Sequence, residues 1–239
     1  MNFGISNIDP VWQAISRTPG VGVGLIDMEG GLYFLNETTK LIFFGTVDVD
    51  YAGKSLADFF VEEFVGERLE LFRRVVKENR PFRFTHILFG RPIESILWPI
   101  KDPEPAFDRV LVVSRTAPKN SICEEVSDDL ETVESKFIDL GNLDILSKRE
   151  LEVFALLGQG MSVPRVATTL HRSPKTIERH KSAIATKLSL KGQSEIIYLA
   201  TSLGIDVSDT HRIRLQDARL EPRINSIALN VSAGSVALA

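Results

Sequence analysis

The chain has 239 residues, 44% hydrophobic and 25% charged, the composition of an ordinary globular protein with room for about two domains. No stretch reaches the roughly 18 apolar residues that a membrane-crossing helix needs, and the first 30 residues lack the basic region and apolar core of a secretory signal, so a cytoplasmic protein is expected. The net charge of -4 is uneven: residues 1–145 hold 15 basic against 24 acidic side chains (-9), residues 146–205 hold 9 against 4 (+5), and residues 206–239 hold 4 of each, which leaves the middle block alone suited to releasing counterions from a phosphate backbone.

In chain order, Val21–Asp27 and Leu32–Leu35 read as strands around a Glu29-Gly30-Gly31 turn, with Asn36 closing the hairpin. Short helical pieces follow at Thr38–Phe44 and Ser55–Phe60. Val61, Phe64, Val65, Leu69, Phe72, Val75 and Val76 then recur at helical spacing and predict one amphipathic helix, closed by Pro81. Three β-rich runs come next, Phe82–Phe89, Pro92–Ile100 and Arg109–Ser114.

This layout, over residues 11–116, resembles a PAS sensor domain. The resemblance implies a five-stranded antiparallel sheet cupped by helices, with a small cavity between sheet and long helix that would receive a small-molecule or protein signal. The residues for common PAS cofactors are missing. A haem site would need a histidine on the helix before the sheet, yet Ser55–Arg80 has none, and His86 reads as a packed or surface strand residue. A photoactive flavin site would need a cysteine in the core, whereas Cys123 falls after the last strand. Phe43-Phe44 and Phe59-Phe60 read as core, with the lining of a cavity as the alternative. One cysteine also excludes an internal disulfide and a zinc knuckle, so no cofactor and no metal site are assigned.

Between Asn120 and Leu140, the apolar residues Val126, Leu130, Val133, Phe137 and Leu140 alternate at spacings of four and three. Residues 117–143 are accordingly predicted to be a helical linker, either a short coiled coil that makes a homodimer or an amphipathic helix packed on its own domain.

Ser147 with Glu150 three residues later forms a capping-box signal that opens a helix, which Gly158 and Gly160 end. A short second helix begins at Ser162. His171-Arg172 make a tight turn into Ser173-Pro174, an N-cap followed by proline at the first helical position. Advancing about 100° per residue along the third helix puts Ile177, Ile184 and Leu188 in one stripe and Lys175, Glu178, Arg179, Ser182 and Thr186 opposite. Arg172, Lys181, Lys187 and Lys191 flank that polar side.

Leu146-Ser147-x-Arg149-Glu150-x-Glu152-Val153, Gly160-x-Ser162, Val166-Ala167, Leu170, Ser173-x-Lys175-Thr176-Ile177-x-x-His180, Lys187-Leu188 and Glu195 together resemble the LuxR-type helix-turn-helix domain. The resemblance, over residues 144–205, implies a four-helix domain whose third helix enters the major groove of double-stranded DNA and whose fourth, Gly192–Leu203, makes dimer contact. It implies that Glu178, Arg179 and Ser182 face bases and that Lys175, Thr176, Lys181 and Lys187 face the backbone. His180 is expected to pack or touch phosphate. Two departures stand out: Arg165 replaces a usual acid, and Ser189 replaces the glycine that usually closes the third helix. No phosphorylatable receiver domain is recognisable upstream.

Residues 206–239 carry no motif and read as a flexible or weakly docked tail, with Ile213, Leu215 and Leu220 able to cover a domain surface. No phosphate loop, no Gly-x-Ser-x-Gly elbow and only four scattered histidines are present, so the chain is not expected to be an enzyme. The whole is read as an α+β homodimeric transcription regulator controlled through its front domain. The alternative is a constitutive DNA binder whose PAS-like domain serves only dimerisation or protein interaction.

Overall fold

The computed structural model describes residues 10–104, 107–116 and 130–215. The front half begins with helix α1 (Pro10–Ser16), strands β1 (Gly22–Asp27) and β2 (Leu32–Leu35), and helix α2 (Glu37–Phe44). A 3-10 turn at Leu56–Asp58 leads to the long helix α3 (Glu62–Glu78), then strands β3 (Phe82–Leu88), β4 (Arg91–Ile100) and β5 (Arg109–Thr116). The order β2-β1-β5-β4-β3 is antiparallel throughout, which is the PAS-like sheet that the sequence implied.

Asn36 does more than close the hairpin. Its side-chain oxygen accepts from Thr39 N at 2.8 Å, capping α2, and from Val23 N at 2.9 Å, while its amide donates to Ser16 O and Val21 O, both at 2.8 Å. One residue therefore holds α1, β1 and α2 together and satisfies four otherwise orphaned groups. On α3, Phe64, Val65, Arg68, Leu71, Phe72, Val75 and Val76 turn inward, and the apolar ones form the front core with Phe82, Leu97 and Val110 of the sheet.

The linker corrects the sequence reading. Residues Thr132–Ile138 form strand β6, not a helix, and β6 extends the sheet by pairing parallel to β3. The spacing of Val133 and Phe137 fits a helix, but the backbone groups of β3's free edge are the stronger attraction, because an unpaired buried edge leaves a row of donors and acceptors unmet. Glu131 fastens this strand by ion pairs to Arg74, at 2.6 Å, and to Arg80. Cys123, Val126 and the rest of 117–129 lie outside the described residues.

After a 3-10 turn at Gly141–Ile145 come helices α4 (Lys148–Gly158), α5 (Val163–Thr169), α6 (Pro174–Lys187) and α7 (Gln193–Leu203). They close on a second apolar core that includes Leu151, Phe154, Ile177, Ile184 and Ile196. The two cores meet where Phe89-Gly90 crosses Leu140-Gly141. Both glycines have positive φ, and a Cβ on Gly141 would lie 2.7 Å from the Phe89 carbonyl carbon, so a side chain at that crossing would collide with main chain.

The tail is also corrected in its first residues. Ile213–Arg214 form strand β7, parallel to β6, and Leu215 enters the front core. The sheet thus has seven strands where five were implied. Arg212 bridges Glu134 and Asp209, both at 3.0 Å, and Arg214 donates to Leu146 O at 2.8 Å. Leu220 lies outside the described residues. No helix among the described residues is long and apolar enough to cross a membrane.

Candidate functional site

The helix ends that aim α6 were legible in the sequence. Ser147 Oγ accepts from Glu150 N at 3.3 Å and Ser147 N donates to Glu150 Oε2 at 2.7 Å, a reciprocal capping box. Ser162 stands at the N-cap of α5 in extended conformation, without a side-chain bond. In the turn after α5, Arg172 N donates to Ala167 O at 2.8 Å and His171 takes a left-handed φ of 53°. Ser173 then caps α6 by accepting from Thr176 N at 3.2 Å, with Pro174 in the first turn.

Ile177 and Ile184 are completely buried against the other helices, and Leu188 packs beside them. Lys175, Glu178, Arg179, Ser182 and Thr186 are all exposed on the opposite side, as the helical projection required. Glu178 is paired to Lys181 at 2.7 Å, and Lys181 also donates to Gln193 at 2.8 Å, so two of the expected DNA-facing residues are held in place by α6 and α7. Lys187 donates to Glu150 at 2.6 Å and to Ile145 O at 3.2 Å, which ties its exposed side chain to α4 and the turn before it. Arg179 and Lys175 have no ion pair or hydrogen bond among the described residues. His180 is half-buried, and burial followed by the nearby Arg179 charge lowers its pKa below the usual 6.5. The exposed face thus presents a free guanidinium, a free ammonium and short hydroxyls on a rigid helix, the groups that read base edges and phosphates.

The front core contains a different kind of site. A cavity of about 50 Å³ lies between the sheet and α3. Phe43, Phe44 and Phe60 line it, so these residues are cavity wall as well as core. His86 is buried and also lines it, and among the described residues neither ring nitrogen has a hydrogen-bond partner. Burial first, then the charges of Arg68 and Arg212, hold its pKa well below 6.5, so the ring is neutral. The hydroxyl of Thr39 is likewise without a partner. Arg68, on α3, is buried over the Phe64 ring and has its pKa lowered to about 9 by burial, against the opposing pull of Glu67.

Residues 144–200 match the profile of the bacterial regulatory proteins, luxR family. The C-terminal domain is a LuxR-type helix-turn-helix. Among curated relatives, the oxygen regulatory protein NreC of Staphylococcus aureus is 32% identical over 115 residues, covering 48% of this chain and 50% of the relative. The chain therefore spans about half the length of the curated relatives it matches. Among solved structures, a Vibrio cholera VqmA–ligand–DNA complex aligns with 87% of this chain and 94% of its own at 16% identity and a TM-score of 0.46. The PAS domain of an HTR-like protein from Haloarcula marismortui aligns with 44% of this chain and 86% of its own at 22% identity and a TM-score of 0.32.

In the LuxR-type domain, Ser189 adopts a φ of 56°, the left-handed conformation that the usual glycine would take without strain. Sequence reading missed Arg68, although its position carries a signal. It falls four residues after Phe64 and four before Phe72, on the apolar stripe of an amphipathic helix, where a cation is costly without a reason to be there.

Proposed function

We propose that this protein is a cytoplasmic transcription regulator that binds double-stranded DNA as a homodimer through α6 and responds to a signal at its PAS-like front domain. The unpartnered Arg179 at the centre of the exposed face of α6 carries this reading, because a bidentate guanidinium on guanine O6 and N7 discriminates by about 1–3 kcal/mol. Glu178 accepts from cytosine or orients Arg179, and Ser182 completes the base-facing set. Lys175, Thr176 and Lys181 fix the register on phosphates, and Lys187, tied to Glu150, adds charge near the backbone. On α7, Ile196, Leu199 and Ala200 are buried while Tyr198 is 67% exposed, which leaves an aromatic side chain for the same helix of a second copy. The sensor unit at 11–116 and the DNA-binding unit at 144–205 are kept as the functional units, with β6 from 117–143 and β7 from 206–239 extending the front sheet. No catalytic role is assigned to any residue.

Selection of bound fragments from a random DNA pool at fixed salt tests the reading. The wild type should enrich a two-fold site, and Arg179→Ala should relax one position of each half-site. Retention of the full preference by the variant removes Arg179 from base reading. Affinity for duplex DNA in dilute salt no greater than that of an acidic control protein would overturn the function as a whole.

A further inference from the structure

We propose that Lys181 is a positioning residue for base reading: anchored to Gln193 of α7, it holds the carboxylate of Glu178 in the groove-facing set, where Glu178 accepts from cytosine N4 and leaves Arg179 to guanine. The proposal rests on the DNA-binding reading above and decides between the two roles given there to Glu178.

An acid is an unexpected choice on a face that meets phosphates. Residues 146–205 carry 9 basic against 4 acidic side chains, and three of those acids are engaged elsewhere. Glu150 pairs with Lys187, Glu152 pairs with Arg149, and Glu195 accepts from Lys191 N. Glu178 alone stands on the exposed face of α6, beside Arg179. A bare carboxylate there would be repelled by the DNA backbone, so its charge needs a partner within the protein.

Two cations are close enough to supply one. Arg179 is next in the chain, but a step of about 100° along the helix turns it aside. Lys181 follows by three residues, on the same side of the helix, and its Nζ lies 2.7 Å from Glu178 Oε2. A lone ion pair at a surface is weakly held. This one has a second anchor, because Lys181 Nζ also donates to Gln193 Oε1 at 2.8 Å, in the first turn of α7. The Lys181 side chain is accordingly only 17% exposed, against 52% for Glu178. The cation is set back at the junction of two helices, and the carboxylate reaches outward.

The clamp leaves the reading groups open. Glu178 Oε1 has no partner among the described residues, and its lone pairs can accept the amino group of cytosine. An ammonium has three donors, so one N–H of Lys181 remains for a phosphate. Arg179 keeps its whole fork for guanine O6 and N7. Two adjacent side chains therefore read two bases, rather than one acting through the other. Gln193 belongs to the helix that the proposed homodimer shares, so the clamp also ties base reading to the α7 contact.

The test is selection of bound duplexes from a random pool by the full chain at fixed salt, followed by affinities for the preferred site and its single-base replacements. Glu178→Gln should flatten a cytosine position, and Arg179→Ala a separate guanine position. Lys181→Met and Gln193→Leu should each cut the cytosine preference by about threefold or more, leave the guanine preference as in the wild type, and do nothing further to either in a Glu178→Gln background. Gln193→Leu changes no charge, so its effect should come with an unaltered salt dependence. It also carries the test alone should Lys181→Met fail to fold. A cytosine preference that survives in the folded variants overturns the proposal. So does a uniform fall in affinity and salt slope in Lys181→Met with every preference intact, which would make Lys181 a phosphate contact only. Loss of the guanine preference in Glu178→Gln overturns it as well, since Glu178 would then act through Arg179. A wild type that selects no sequence at all sinks the base-reading assignment and this proposal together, and is told apart from the other failures by the lack of any preferred site.

Discussion

At the centre of the four-helix domain the side chains are apolar, from Leu151 and Phe154 to Ile196, and its buried carboxylates Glu150 and Glu152 each face a cation, Lys187 and Arg149. Between α3 and the sheet the situation is reversed, with an arginine, a histidine and a threonine set among phenylalanines and left wholly or partly unmet. The contrast separates two uses of burial. A closed apolar core holds a shape still so that an outer face can work, whereas a core with unmet polar groups gives up stability around its cavity.

The rear core should be the part most sensitive to truncation. Phe154 is completely buried, and Phe154→Ala should cost about 3–5 kcal/mol in chemical denaturation. A loss below about 1 kcal/mol would mean that the four-helix core is not close-packed. Next comes the joint between the cores: Gly141→Ala forces a Cβ to within 3.0 Å of Phe89 main-chain atoms at a φ of 57°, and should destabilise by about 2 kcal/mol. In the front core the sign should invert. His86→Phe removes two unmet nitrogens and should raise the stability of the ligand-free protein by about 1 kcal/mol, read as a higher denaturation midpoint; a loss would show that the histidine is structural. Ser189→Gly relieves the left-handed residue after α6 and should add rather less than about 1 kcal/mol.

The smallest effect is acid sensitivity at Glu150. Burial raises its pKa, but Lys187 and the Ser147 amide and hydroxyl together outweigh that and leave it below the ordinary 4.5. A carboxylate depressed on folding contributes stability that is fully present above its unfolded pKa and is lost as pH falls through the folded value. Glu150→Gln should therefore flatten the loss of stability below about pH 4.5 and lower stability at neutral pH. An unchanged pH profile would remove the Glu150–Lys187 pair as a fastening between α4 and α6.

Local signals carried most of this fold. The caps at Ser147 and Ser173, the left-handed cost at Ser189 and the exposed set on α6 follow from hydrogen bonding and periodicity within a few residues of one another. The strands of the front sheet were legible to within two residues because their β-rich runs are bounded by turns. What escaped depends on partners distant in sequence. Val133 and Phe137 keep helical spacing, yet they lie on a strand because β3, some fifty residues earlier, offers its edge. Ile213–Arg214 become a strand only because β6 is there. Arg68 is a different case, since its place on the apolar stripe beside Phe64 and Glu67 was legible locally and only Phe84 of β3 is distant.

Because β6 precedes the four helices and β7 follows them, the four-helix unit is attached to the sheet at both of its ends, on neighbouring strands. Such an attachment forbids the free swinging of a domain on a single tether and leaves rocking about one axis, set by the direction of the two strands. Among the described residues the second attachment is a two-residue strand, fastened also by the ion pairs of Arg212, the Arg214 bond to Leu146 O and the burial of Leu215; releasing it would turn a rocking unit into a tethered one. A chain shortened before residue 213 should already be in that second condition.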